Sequence, residues 1–378
     1  MKLKIIRVTL VLLIGSLNLN AQNGITLPGS HNQKVSLTQW IGNLVDVNVT
    51  YNSPNVTNPR SGENRTGKIW GGLVPYGYHF VTFANQMIPW RAGAQTNTVF
   101  TVSHDVKIEG KHLPAGKYGL FMLTGKEEWT IIFSKDYNSW GALYYDEKED
   151  ALRVTVKPTK NAFTEWLTYD FIERKKEYAV MALKWEYLSV PVKIEVPNMN
   201  ELYVQKLRSD LRNGAGFEYR NWIDAINFCV NNNINLEEAL TWADYAINRQ
   251  WFGTKNYGTL SAKAKILEKL DRNKAAKELR ERALKTATAK EISNEGRRLL
   301  SQNKNKEALK LYTFNAKKFS EETVMVHVDF AKVYTALGNK KKAIKHWEIA
   351  LKNMPDRTDH QYYLPRYKLA LKKLKENK

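Results

Sequence analysis

Trp70-Gly71-Gly72-Leu73-Val74-Pro75-Tyr76-Gly77, Trp90-Arg91-Ala92-Gly93-Ala94 and Leu113-Pro114-Ala115-Gly116-Lys117-Tyr118 are three Gly/Pro-rich breaks close together in the chain. Glycine allows positive φ or close backbone approach, and proline fixes φ and removes a donor. Between the breaks lie short β-branched runs such as Thr98-Val99-Phe100-Thr101-Val102-Ser103. A chain interrupted this often reads as strands turning back on themselves, not as helices. Upstream, Val45, Val47, Val49 and Tyr51 alternate with polar residues, the pattern of a half-buried strand. Downstream, Val106 to Leu113 around Glu109-Gly110 reads as a tight hairpin. Further strands are expected at Tyr118–Leu123, Trp129–Phe133, Leu152–Lys157, Trp166–Phe171, Ala179–Trp185 and Val190–Val196. About ten short strands with regular turns predict a β-sandwich or jelly-roll-like domain over residues 22–197.

The chain begins with Lys2, Lys4 and Arg7, then a short apolar run from Val8 to Leu19, then Leu19-Asn20-Ala21. Basic-then-apolar order with a small residue at its end predicts an export signal over residues 1–21, cut before Gln22. No later apolar run approaches the roughly 20 residues of a membrane helix, so no integral membrane segment is expected after cleavage. Cys229 is the only cysteine, which excludes an intrachain disulfide and Cys-cluster zinc sites. The net charge of +20 is uneven: from Asn198 onward there are 36 Lys+Arg against 21 Asp+Glu. Such a field favours acidic partners. For an exported, periplasmic or secreted protein, nucleic acid is not the expected one.

Six motifs in order carry a resemblance. They are Gly67-Lys-Ile-Trp-Gly-Gly-Leu-Val-Pro-Tyr-Gly77, Trp90-Arg-Ala-Gly-Ala94, Leu113-Pro-Ala-Gly-Lys-Tyr118, Glu128-Trp-Thr-Ile-Ile132, Trp140-Gly-Ala142 and Asp150-Ala-Leu-Arg-Val154. Residues 28–197 thereby resemble the domain-of-unknown-function family numbered 2911. The resemblance implies an all-β domain in exported proteins, mostly of Bacteroidetes-type bacteria, and implies no activity. Two departures stand out. His79 to Pro89 is inserted between the Pro-Tyr-Gly turn and Trp90-Arg91, and Gln95-Thr96 stand where the family tends to have Asn-Glu.

Residues able to do chemistry are sparse. His31, His79, His104 and His112 are scattered without ligand spacing, so no metal, other cofactor or catalytic group is expected. Asp146 to Asp150 lacks the glycine and alternating ligands of a calcium loop and reads as a solvated hairpin tip. Ser103-His104-Asp105 holds triad residue types, but neighbours on a strand face opposite ways. Tryptophan and tyrosine are abundant in this domain, and most are expected in its core. Trp90 and Arg91, beside Gly93 and with Gln95 near, are the best candidates for a ligand-facing group, the inserted 79–89 loop forming one wall. Arginine offers a planar donor fork to a carboxylate.

Past Pro197 the texture turns helical. Residues 198–219 read as a linker helix and turn broken at Asn213-Gly214-Ala215-Gly216, and a repeat follows over residues 220–378. Ala264, Gly296 and Ala331 each precede Ala276, Ala308 and Ala343 by twelve residues, and Ala283, Asn315 and Ala350 come seven further on. Small residues at fixed places let paired helices approach closely. The pattern resembles the tetratricopeptide repeat, best in the last copy at Ala331, Tyr334, Leu337-Gly338, Ala343, Trp347, Ala350 and Pro355. Four units are expected, with an extra segment at Gln250 to Asn256 and a capping helix over Asp359 to Lys378. That resemblance implies a curved array binding segments of other proteins.

Lys265, Arg297 and Lys332 fall one residue after the small position, with Lys269 and Asn294 on neighbouring inner places. They predict a ladder of cations for an acidic or carboxylate-bearing segment. The expectation is an exported, non-enzymatic binding or assembly protein. The alternative is a glycan-acting hydrolase or a carbohydrate-binding module with its site on the β domain. For the latter, a glycan is the possible ligand.

Overall fold

The structure, a computed structural model, describes residues 31–319, 324–355 and 362–376. The expected export signal and its cut before Gln22 lie outside the described residues. The chain divides into two compact units, and the division falls between Met199 and Asn200. No helix among the described residues is long and apolar enough to cross a membrane.

The first unit is antiparallel β. Its six-stranded sheet takes β1 (Gln33–Ile41), β2 (Val45–Ser53), β5 (Thr98–Val102), β8 (Gly116–Leu123), β9 (Trp129–Ser134) and β10 (Asp150–Val156), in that spatial order. Its four-stranded sheet takes β11 (Thr159–Arg174), β12 (Tyr178–Glu195), β6 (Val106–Ile108) and β7 (Lys111–Leu113). The 79–89 insertion folds as a two-stranded hairpin of its own, β3 (His79–Val81) and β4 (Gln86–Ile88). Val45, Val47, Val49 and Tyr51 of β2 are all buried, as alternation required. The β6–β7 turn has positive φ at both Glu109 and Gly110, a two-residue loop whose twist suits a hairpin. The two sheets share one core. Tyr51 of β2 meets Tyr169 of β11 at 4.8 Å, and Trp129 of β9 and Trp185 of β12 both pack on Trp70.

Two expectations change here. The segments Ala179–Trp185 and Val190–Val196 are one long strand, β12, not two. A bulge disguised its continuity: Glu186 has φ +55°, the β11–β12 register slips beside it, and Trp185 and Glu186 are both buried. The Glu186 carboxylate accepts from the Gly67 N–H. The second change concerns Asp150, which is not a solvated tip. It opens β10 and accepts from Tyr145 Oη at 2.8 Å and Arg153 Nε at 2.6 Å. Burial raises its pKa despite those donors.

The second unit opens with α1 (Met199–Asp210, whose first residue closes the β unit) and a 3-10 turn at Gly214–Phe217. Four antiparallel helical pairs follow: α2 (Tyr219–Asn232) with α3 (Leu236–Asn248), α4 (Tyr257–Lys269) with α5 (Asn273–Thr286), α6 (Ala289–Ser301) with α7 (Asn305–Phe319), and α8 (Val324–Ala336) with α9 (Lys340–Lys352). Ala264, Ala276, Ala283, Ala308, Ala331, Ala343 and Ala350 are all fully buried between helices. At Gly296 any Cβ would overlap the Tyr312 ring, so α6 and α7 sit closer than alanine permits. The extra segment at 250–256 is a turn. In it Phe252 stacks on Trp222 at 5.5 Å, and Asn256 caps α4 by accepting from Thr259 N. α10 (Leu364–Glu376) packs on α9 through Trp347 and Tyr367, 5.1 Å apart. The residues first expected to open that helix, 359–361, lie outside the described residues.

Candidate binding sites

The β unit has a cavity of about 610 Å³ beside the Trp90 corner. Its floor is Trp90 and Trp185, whose rings stand 6.4 Å apart and nearly parallel. Trp90 keeps only 9 % of its surface exposed, so most of its ring lies in the core. Gln95 lines the cavity, at positive φ, and accepts from Asn52 Nδ2 at 3.3 Å.

Arg91 is not among the lining residues, because neighbours in extended chain project to opposite sides. Its guanidinium bonds the Gln95 carbonyl and lies 5.5 Å from the Trp140 ring centre, tight against Gly141. Burial lowers its pKa, and burial together with the Arg91 charge lowers that of His79. The expected wall differs as well. Residues 54–65 and Leu73-Val74 enclose the cavity, and the 79–89 hairpin does not line it. The hairpin packs instead on the 142–145 turn, with Gln86 Nε2 donating to the Tyr145 carbonyl at 2.6 Å.

Ser103 and His104 do meet, Oγ to Nδ1 at 2.8 Å, because they sit in a bend and not on a strand. Asp105 turns away to His112 Nε2 at 3.1 Å and Ala115 N at 2.9 Å, so no relay forms. Among the described residues no three His, Cys, Asp or Glu side chains converge.

In the helical unit, a groove of about 610 Å³ runs between α2, α4, α5, α6 and α7. Lys265 and Asn294 both line it. Its apolar surface comes from Ile223, Leu284, Leu299, Leu311 and Phe314. Lys265 Nζ donates to Asn227 Oδ1 at 3.2 Å, the residue that replaces a small one in the first repeat. Among the described residues no carboxylate lies within 4.0 Å of that ammonium. Burial lowers the Lys265 pKa. The other arginines of the groove are spent. Arg298 grips Glu295 through two bonds of 2.8 and 2.6 Å, and Arg280 pairs with Glu268. Tyr257 is pushed up to about 12 by burial and stays a hydroxyl donor.

Lys265, Arg297 and Lys332 of the expected cation ladder line two different cavities. Arg297 and Lys332 line a separate cavity of about 820 Å³ with Trp347 and Tyr367, and Lys269 is exposed and lines neither. Arg297 is also neutralised: Nε lies 3.3 Å from Asp329 Oδ1, and Nη2 donates to Ser293 Oγ at 3.1 Å. Ser293 Oγ donates to the other oxygen of Asp329. Asp329 is 1 % exposed, and its pKa rises because burial outweighs those donors. Lys332 has its pKa lowered by burial first and Arg297 second. Asp329 is a lone acid within the otherwise uncharged and mostly apolar Val324-Met-Val-His-Val-Asp-Phe-Ala331, a sequence signal for a buried partner that small-residue spacing does not carry.

Residues 32–194 match the model of the family described as Protein of unknown function (DUF2911). The chain thus carries a DUF2911 domain at residues 32–194, followed by helices in antiparallel pairs. No curated protein matches the sequence.

Proposed function

We propose that this is a non-enzymatic binding protein whose helical pairs act as a tetratricopeptide-like array and capture an acidic or carboxylate-bearing segment of another protein. The observation that supports the reading is Lys265. It is a half-buried ammonium, bonded to one neutral amide, facing an apolar groove whose other arginines already hold carboxylates. A cation partly withdrawn from water with no carboxylate in contact, only the more distant field of Glu295, carries a cost that a ligand carboxylate reduces. The leucine, isoleucine and phenylalanine walls would take the apolar side chains that flank that carboxylate. On this reading the protein works outside the cytoplasm of a bacterium of the Bacteroidetes type, which rests on the basic-then-apolar start and the family resemblance.

The hydrolase alternative gains no support from the β cavity. Glycosidases use two carboxylates, and among the described residues none lines it.

The test is fluorescence anisotropy with an amphipathic peptide of alternating Asp and Leu, against its Asn counterpart. The Asp peptide should bind at least about tenfold more tightly, since a charge-assisted bond contributes roughly 1.5–3 kcal/mol. Lys265→Met should erase that difference and Lys269→Met should not. Equal binding of the two peptides would sink the reading.

A further inference from the structure

The β cavity has a ligand chemistry of its own, independent of the helical groove. Among the described residues, its lining combines four side-chain amides, from Asn32, Asn55, Asn58 and Gln95, with the guanidiniums of Arg60 and Arg65, and it contains no carboxylate. Asn55 is the informative one. It is 8 % exposed, and among the described residues its side-chain amide makes no hydrogen bond. Neither polar atom of that amide is sealed off, so it offers an unspent donor and acceptor at the cavity wall to a partner that arrives from outside.

Two more amides keep donors free. The oxygen of Asn58 accepts from the Arg60 and Ser61 N–H groups at 3.0 and 3.4 Å, which leaves its NH2 unspent. Gln95 uses its oxygen on Asn52, which leaves its NH2 unspent as well.

The walls are held in place before any ligand binds. Arg65 donates from Nε to the Val56 carbonyl at 2.9 Å and from Nη2 to the Asn55 carbonyl at 2.7 Å, so its guanidinium is fixed with Nη1 left over. Thr57 N donates to Glu165 Oε1 at 2.8 Å, tying the loop to β11. Arg60 is exposed at the rim, and its side chain has no partner among the described residues.

We infer that this cavity binds a small sugar acid, a pyranose bearing a carboxylate. Amide groups both donate and accept, which is what ring hydroxyls require. The two guanidiniums, without a lining carboxylate to oppose them, select an anion. Trp90 and Trp185 at the floor and Val74 at the wall supply apolar surface for the C–H face of a ring. The volume suits one or two such rings, within the roughly 300–1,000 Å³ of small-molecule sites.

Isothermal titration of the full chain with D-glucuronate, D-glucose and propionate separates the contributions. Glucuronate should bind saturably at millimolar concentration, and both other compounds at least about tenfold more weakly. Equal binding of glucose would remove the carboxylate from the inference, and equal binding of propionate would remove the sugar; either result overturns it. Arg60→Ala, at an exposed position that leaves folding untouched, should weaken glucuronate about tenfold, and Asn55→Ala should do so by a similar factor. Lys265→Met should leave glucuronate binding unchanged, so this site and the helical groove fail or succeed separately. Absence of saturable glucuronate binding, or binding unaltered in both cavity variants, would overturn the proposal.

Discussion

The β cavity and the helical groove have the same volume, about 610 Å³, yet they are built by opposite means. The cavity is a loop product. Residues 54–65 are pinned by backbone bonds to β11 and by Arg65, so its polar groups stand where the backbone puts them. The groove is a packing product. Small residues let helices close up in pairs, and long side chains from neighbouring pairs meet over the space that remains. The difference shows in what happens to charge. In the cavity the guanidiniums are left without lining carboxylates, whereas in the groove both arginines are paired within the fold and the half-buried Lys265 bonds only the Asn227 amide.

The largest effect is expected at the buried pair of Arg297 and Asp329. Arg297→Ala leaves Asp329 uncompensated and should cost about 3 kcal/mol in urea unfolding. Asp329→Asn in the same chain should recover most of the loss. The sign with pH follows from a raised carboxyl pKa. The folded state binds the proton more readily than the unfolded one, so stability from this group falls as pH rises from 3.8 through the raised pKa. Removing Arg297 raises that pKa further. The deficit should therefore be small near pH 4 and full at pH 8. A pH-independent deficit would mean that Arg297 acts through packing alone.

Glycine probes both regions with one change. Gly296→Ala drives a Cβ into Tyr312 and should cost about 2 kcal/mol, even though alanine in a helix normally gains about 1 kcal/mol. Gly93→Ala, whose Cβ would meet Thr98 Oγ1 at 2.7 Å and the Asn52 carbonyl at 3.1 Å, should cost somewhat less, about 1.5 kcal/mol. Thermal unfolding of the two variants checks the order. A neutral Gly296→Ala would show that α6 and α7 can slide apart, and that the groove is not set by close packing.

The smallest expected effect sharpens the comparison at Lys265. Burial holds its folded pKa below 10.5, so its charged form opposes folding at neutral pH. Lys265→Met should stabilise the chain, by less than about 1 kcal/mol because the side chain is partly screened by solvent. For a lysine with a depressed folded pKa the unfolded state binds more protons, so stability rises with pH between that pKa and 10.5, and the gain from methionine shrinks over the same range. Denaturant midpoints at pH 7 and pH 10 read this directly. Lower stability of the methionine variant at pH 7 would show that the ammonium has a counter-charge in the folded chain.

Local periodicity and small-residue spacing carry the strands and the helical pairs. Val45-x-Val47-x-Val49 must be a half-buried strand because side chains on extended chain alternate. Glu109-Gly110 must turn a hairpin, and the twelve-residue spacing of Ala264, Gly296 and Ala331 to their partners must bring helices together, because a bulkier residue would hold them apart. Lys265 and Asn294 were legible as groove residues for the same reason.

Where the second partner of each polar group lies was settled by packing between elements. Arg297 and Lys265 occupy equivalent places in the repeat, yet Asp329 comes from the next pair to neutralise one of them, and Asn227 alone answers the other. Trp90 and Arg91 are neighbours in sequence but part company across the chain. Asn55 and Arg60, in a polar loop with no periodicity to read, became cavity walls only through bonds to residues about a hundred positions away, such as Thr57 to Glu165. Periodicity describes which way a side chain leaves its own element; which charge or carbonyl it then meets depends on packing between elements distant in the chain.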